Sequence, residues 1–285
     1  MSRKNRKRET EALYLNNLTY RHYYNTLKEL AISMFEWENL PDTVDARFLE
    51  LSLFEDGMAV FFKDDVIGFL ALQTMIGGEL SVYRIPNIRT AYATNGYHEQ
   101  LNKDNSVIIW NNMLRNNTVD DIKFFARKLY ECDRTIDVNI KAQKTPVAIL
   151  CDENQRLTMM NLYAQYDGNE PFIFGGKELD IKKITSISTQ APFIADKVND
   201  MKNVIWNEAL TYLGISNVNN VKKERLISDE VTRNMGATVT SRYSRLEMRK
   251  EACKKINKMF GLNIDVRYKD DYVIIPDNGE GGENE

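Results

Sequence analysis

The chain has 285 residues, of which 43% are apolar and 28% charged, with a formal net charge of -3. That composition supports a sizeable core and excludes a disordered or collagen-like chain. No stretch has the length of a membrane-spanning run, and the basic N-terminus lacks the apolar segment of a secretory signal, so a soluble protein made in a cytoplasm is expected.

Arg3, Lys4, Arg6, Lys7 and Arg8 crowd residues 1–9, whereas Asp277, Glu280, Glu283 and Glu285 mark residues 277–285. The basic arm has two readings: it neutralises nucleic-acid phosphates, or it is a solvated tail.

From Thr10 to Trp37 the residues Leu13, Tyr20, Tyr24, Leu27, Ala31 and Met34 recur at helical spacing, which predicts a long first helix. Asn39-Leu40-Pro41 ends it, because proline disfavours a helical residue before it. Between Phe54 and Asn112 short β-branched and aromatic runs predict strands at Met58–Phe62, Val66–Thr74, Ser81–Ile85 and Val107–Trp110, with breaks at Lys63-Asp64-Asp65 and Gly77-Gly78. The whole of 10–119 reads as a helix followed by a β-rich lobe.

Within 120–145, Ile122, Phe125, Leu129, Cys132 and Ile136 alternate three and four apart, predicting a helix from Asp120 with an apolar seam toward another helix of this chain or of a neighbouring copy. Residues 146–190 carry short segments at Val147–Leu150, Phe172–Phe174 and Ile181–Ile187 around a helix-like piece with Leu157, Met160 and Tyr163, a small α/β insertion. Ala191-Pro192 opens a second long helix within 191–216, with Ile194, Val198, Met201, Ile205, Ala209 and Tyr212 on one face and Gly214 at its end. Residues 217–240 show no sustained apolar period and are expected to form a working loop. A final helix from Arg245 to Phe260, closed by Gly261, and a hairpin of 263–268 with Tyr272–Ile275 complete 241–276. The fold class is α+β.

Chemistry is sparse. The two histidines, His22 and His98, have no cysteine, histidine or carboxylate at ligand spacing, and the three cysteines, Cys132, Cys151 and Cys253, are too scattered for a zinc ribbon or a disulfide framework. Asp64-Asp65, Asp120-Asp121 and Asp270-Asp271 fall in a turn, a helix start and a strand connection, settings that explain acid pairs without a metal. The double glycines lack the Lys-Ser/Thr of a phosphate loop. The tyrosines, 14 in number, offer stacking platforms for single strands or ordinary packing. No enzyme, metal or cofactor is expected.

Six segments resemble the portal, or upper collar, of the small Bacillus podophages that package protein-primed linear DNA. They are Met34–Pro41 (MFEWENLP), Gln143–Val147, Tyr163–Phe174, Asp196–Ile215, Lys222–Val231 and Glu251–Val266, in the same order as in that family. The resemblance implies an elongated subunit in a ring of about twelve copies at one capsid vertex, enclosing a channel for double-stranded DNA packaging and ejection. It implies long stem helices at 120–145 and 191–216, a β-rich wing including the final helix and hairpin, a small α/β clip at 146–190 and a channel loop at 217–240. Lys197, Lys222 and Lys223 match the family's lysine rings over an acidic channel wall, and Arg3, Lys4, Arg6, Lys7 and Arg8 match an arm that contacts the motor or nucleic acid. Sparse rings over a repulsive wall guide a phosphate backbone without holding it.

Implied partners are the major capsid and scaffolding proteins, a packaging ATPase with or without a packaging RNA, and lower collar and tail proteins, with no membrane. The place is the portal vertex of a virion assembled in the bacterial cytoplasm. Ser188 stands where the family has a basic residue, which implies one lysine ring fewer, and the shorter C-terminal region implies a reduced helical crown. The rival reading is a non-ring accessory protein that binds nucleic acid through Arg3–Arg8; a metal-dependent hydrolase using Asp120 or Asp271 is a third.

Overall fold

The computed structural model describes residues 3–143, 147–150, 172–175, 192–215 and 228–269. Two compact units divide the chain, one of Met1–Arg127 with Trp206–Glu285 and one of Lys128–Ile205. The fold mixes helices and sheet, as an α+β chain should.

In the first unit, helix α1 spans Arg3–Ser33 and is followed by strand β1, Phe35–Glu38. The helix therefore stops before Phe35, short of the predicted Trp37, because the next residues enter a ladder: β1 pairs antiparallel with β9, Asp265–Tyr268. Arg267 reinforces that pairing by reaching both Glu36 and Glu38 at 3.0 Å. The expected break at Asn39-Leu40-Pro41 is present, with Asn39 at a left-handed φ of 56° and the Val44 amide donating to the Pro41 carbonyl.

Helix α2, Ala46–Asp56, was not anticipated. Its signals are local: the Asp45 carboxylate accepts from the Arg47 and Phe48 amides, and Gly57 closes the helix in the left-handed region. A Cβ at Gly57 would sit 2.5 Å from the Asn116 carbonyl carbon, so this stop admits only glycine. Leu49, Leu53 and Phe54 bury its inner face.

The β-rich lobe is one five-stranded sheet in the order β5-β4-β3-β2-β6, with all neighbours antiparallel. The strands are β2 (Met58–Asp64), β3 (Gly68–Leu80), β4 (Pro86–Tyr92), β5 (His98–Asn102) and β6 (Ser106–Trp110). Gly77-Gly78 does not end β3 but lies at a register shift, a bulge that bends the long strand. Ser81–Ile85 is a connection and not a strand: the Ser81 hydroxyl accepts the Ile85 amide, and Arg84 takes a φ of 56°. β4 and β5 replace it, and their mixed polar sequences hid them.

β4 and β6 are separated by two strands, yet Arg89 of β4 donates to the Ser106 carbonyl and hydroxyl of β6. A flat sheet would set those strands well over 10 Å apart at ~4.8 Å per step, so the sheet curls strongly. Val60, Phe62, Ala91 and Leu101 form one inner cluster, with Leu70, Leu72 and Tyr97 against it.

Helix α3, Val119–Ala142, agrees with the predicted amphipathic helix, and Ile122, Ala126 and Leu129 are fully buried. Helix α4, Ala195–Leu213, begins after Pro192, so the proline precedes the first turn instead of occupying it. In the first unit the Tyr212 hydroxyl donates to Asp121 at 2.5 Å and its ring lies 5.8 Å from Phe125. In the second unit Lys202 pairs with Asp133 at 2.9 Å. There Asn139 donates to the Pro192 carbonyl and accepts the Ile194 amide, fixing the approach to α4. Strands β7 (Val147–Leu150) and β8 (Phe172–Gly175) pair in parallel, as two of the predicted short segments. Ile181–Ile187 and the Leu157–Tyr163 piece lie outside the described residues.

Helix α5 runs Ser228–Phe260, so 228–240 is helical where a loop was expected and the final helix starts well before Arg245. Residues 237–240 of this helix escaped notice because Ala237, Val239 and Thr240 are exposed and only Thr238 is buried, leaving no apolar stripe to read there. Phe260 packs 5.7 Å from Phe61 and 5.6 Å from Phe69, setting α5 on the sheet. The predicted hairpin partner Tyr272–Ile275 lies outside the described residues; β9 pairs with β1.

Candidate functional site

The residues expected to carry function are distributed over several elements. Arg3, Lys4, Arg6, Lys7 and Arg8 occupy the first turns of α1 and are continuous with that helix. Lys197 is exposed in the first turn of α4. Lys222 and Lys223 lie outside the described residues, as does Ser188.

Lys197 shares an exposed stripe of α4 with Phe193 just before the helix, then Met201, Val204 and Glu208, at four, four, three and four. Phe193, Met201 and Val204 are 58, 55 and 50% exposed, and Val138 and Ile140 on α3 are 58 and 48% exposed. The neighbouring positions Asp196, Asn199, Asp200 and Asn203 are exposed and acidic or amide-bearing. The second unit thus exposes large side chains on its helices, beside a polar face where Lys197 stands among carboxylates.

A second constellation was missed from the sequence. Arg242, Arg245 and Arg249 lie three and four apart on α5, and each guanidinium stacks on an aromatic ring: Tyr268 at 5.2 Å, Tyr212 at 4.7 Å and Phe35 at 3.9 Å. Arg249 is 2% exposed and forks onto Glu50 with bonds of 2.9 and 2.7 Å. It also donates to the Asn111 carbonyl at 2.8 Å. Trp37 donates to the same Glu50 at 2.9 Å. One buried carboxylate therefore joins α2, β1, the end of β6 and α5, and a bidentate fork with extra donors is the geometry in which a buried ion pair holds.

Arg242 and Arg245 accompany it at the end of α4, donating to the Gly214 and Tyr212 carbonyls. Gly214 has a φ of 81°, and a Cβ there would lie 2.8 Å from the Arg242 Cγ. Burial raises the Tyr212 and Tyr268 hydroxyls above their usual range and lowers Arg245. The signal for this node was present as arginines at helical spacing followed by an Ala-Cys apolar step, but partners 199 residues away are not visible in a local pattern.

The node gives physical content to the motifs that carried the resemblance. Within Glu36-Trp37-Glu38-Asn39, the glutamates hold Arg267, Trp37 holds Glu50, and Asn39 donates to the Asn263 carbonyl from its left-handed turn. In Glu251–Val266, Asn257 exchanges two 2.8 Å bonds with Ile264 and shapes the turn into β9.

Asp64-Asp65 and Asp120-Asp121 each hold a residue with a structural partner, Asp120 pairing with Lys123 and Asp121 accepting from Tyr212, and Asp270-Asp271 lies outside the described residues. Asp64 accepts the Ile67 and Val66 amides and the Tyr97 hydroxyl, contacts that hold its pKa below the ordinary value, with the Ile67 bond contributing most. Among the described residues no group of three or more His, Cys, Asp or Glu side chains is placed to hold a metal ion. No described helix is long and apolar enough to cross a membrane.

Comparison with known proteins agrees with this arrangement. The family model described as Phage Connector (GP10) matches residues 3–273. Among solved structures, a chain from the portal and tail of native bacteriophage P68 is 20% identical. That likeness covers 94% of this chain and 91% of the other, at a TM-score of 0.50, and shows a shared fold. With the family match spanning nearly the whole sequence, the chain belongs to the phage connector family and is a bacteriophage portal, a structural head-tail connector.

Proposed function

We propose that this connector works as a ring of about twelve copies around a channel for double-stranded DNA, seated at the portal vertex of the virion. The family match carries the reading. The exposed Phe193, Met201, Val204, Val138 and Ile140 support it, because helix faces with unburied large side chains suit burial between neighbouring copies. Lys197 sits beside Asp196 and Asp200, the alternation of one cation among carboxylates that lets DNA pass without capture, and Lys222 and Lys223 join it as channel residues. Arg3, Lys4, Arg6, Lys7 and Arg8, in the first turns of α1, form the contact for the packaging motor or its nucleic acid. Capsid and scaffolding proteins, a packaging ATPase and lower collar proteins are the partners, and assembly takes place in the host cytoplasm. The protein carries no catalytic step of its own.

Mass photometry and rotational averaging of negatively stained particles test the ring. The expected particle has a central hole and a mass about twelve times the 33.1 kDa chain. A monomer or dimer at every salt concentration rejects the ring in favour of a nucleic-acid-binding accessory protein. Replacing Arg3, Lys4, Arg6, Lys7 and Arg8 together by Ala is expected to flatten the salt dependence of nucleic-acid or motor binding and leave ring size unchanged; an unaltered salt slope rejects that role for the arm.

A further inference from the structure

A cleft of about 350 Å³ opens between the start of β4 and β6, under the C-terminal half of α5. Ser106, Val107 and Ile108 are consecutive residues of β6, and all three line it. Side chains of successive strand residues point to opposite faces, so the cleft runs along the edge of β6 and not over one face. That edge is unpaired: β6 is the last strand of the sheet, and its one ladder is to β2.

The register tells which backbone groups stand on the free side. The Asn111 amide donates to the Gly57 carbonyl, one step beyond the pair of Met58 and Trp110, so Ala59 with Ile109 and Phe61 with Val107 exchange the ladder bonds. Ser106, Ile108 and Trp110 therefore turn their amides and carbonyls outward. The Ser106 carbonyl accepts from Arg89, whereas the amides and carbonyls of Ile108 and Trp110 meet no partner among the described residues.

Arg89 supplies the second half of the site. It is 5% exposed and lines the cleft with Lys103 and Lys255, while no acidic side chain lines it. Its Nη1 serves the Ser106 carbonyl and hydroxyl and, at 3.5 Å, the Asn102 carbonyl. Nε is buried without a partner, and Nη2 has none among the described residues. Nε and Nη2 form one edge of the guanidinium, the same edge by which Arg249 forks onto Glu50. Asp104 favours the charged form of Arg89 from the turn between β5 and β6, but makes no ion pair with it.

We propose that this cleft takes an extended acidic peptide segment of another protein, which adds a strand to the outer edge of β6 and forks a carboxylate onto the Nε and Nη2 edge of Arg89. The free groups of Ile108 and Trp110 bind the backbone. Pro86, Trp110 and Met259 offer apolar contact to its side chains, and Lys103 and Lys255 favour its charge. Arg89 stands at the Ser106 end of β6, so in an antiparallel added strand the acid is the last residue. Duplex DNA fits neither feature: it has no ladder of N–H and C=O groups to pair with β6, and a stiff duplex does not enter a cleft of this size. The inference concerns a single subunit and does not depend on ring formation.

The probe is the synthetic peptide acetyl-Thr-Val-Thr-Val-Asp-amide, added to the purified full-length chain, with the same peptide carrying Asn in place of Asp as its control. Hydrogen exchange and titration calorimetry follow binding. The Asp peptide is expected to slow exchange at the Ile108 and Trp110 amides about ten-fold, with Ile109 little changed, and to bind about ten-fold more tightly than the Asn peptide. In the Arg89→Met chain the two peptides should bind alike. Equal binding of the two peptides to the unaltered chain overturns the proposal, as does the absence of binding at millimolar peptide or protection confined to strands other than β6. A duplex oligonucleotide that protects the same amides also overturns it, in favour of a nucleic-acid surface. The comparison of acid with amide is made on the unaltered protein, so it decides the matter even if Arg89→Met fails to fold.

Discussion

Arg249 and Arg89 are buried guanidiniums in the same unit, and the protein treats them in opposite ways. Arg249 has a forked carboxylate, a backbone carbonyl and an aromatic face around it. Arg89 has the Ser106 oxygens on one terminal nitrogen, an unpartnered Nε and an open cleft. Burial lowers the pKa of Arg89 from its usual value, with the Asp104 charge opposing the shift. The contrast teaches that a buried cation forked onto a carboxylate acts as a lock between distant segments, whereas one that forms no ion pair among the described residues holds only its own strand to a neighbour.

The largest expected effect breaks the lock. Glu50→Ala or Arg249→Met, each leaving one charge buried and alone, should cost about 3–5 kcal/mol in urea unfolding of the subunit. Glu50→Leu combined with Arg249→Met should recover part of that loss. If the single changes cost no more than a surface substitution, the node is not a lock.

Arg89→Met sharpens the comparison, since it orphans no buried carboxylate and should cost only about 1–2 kcal/mol through its lost Ser106 bonds. An equal loss at the two arginines would erase the distinction. Trp37→Phe removes a single donor from Glu50 while the Arg249 fork remains, and about 1 kcal/mol is expected from the same unfolding curves. Arg267→Ala opens the exposed clamp on Glu36 and Glu38 and should cost at most ~1 kcal/mol, falling further in high salt.

The smallest perturbation only reports on the lock. Cys253 lies one helical turn beyond Arg249, and burial pushes its thiol up to about 12. Alkylation at pH 8, followed by mass spectrometry, should spare Cys253 in the folded chain and modify it in the Arg249→Met variant as the subunit opens. Rapid labelling of the unaltered folded protein would contradict its placement against the core.

Much of the architecture was legible locally. The period of Ile122–Ile136 marked α3, the β-branched runs at Met58–Phe62 and Val107–Trp110 marked β2 and β6, and Val147–Leu150 and Phe172–Phe174 marked the parallel pair. The collinear motifs carried the family. Polar segments were misread: β4 and β5 show little alternation, and residues 236–240 of α5 have almost no buried side.

By itself the sequence determined which stretches could form helices and strands and which family they resemble, because periodicity, prolines and glycines act on neighbouring residues. Only the tertiary structure decided that Phe35–Glu38 leaves the helix to pair with Asp265–Tyr268, that Glu50 meets Arg249, and that Arg89 faces a cleft lined by no acid among the described residues. Those outcomes depend on partners far apart in the chain, where closing the loop and desolvating a charge are repaid only by the assembled fold.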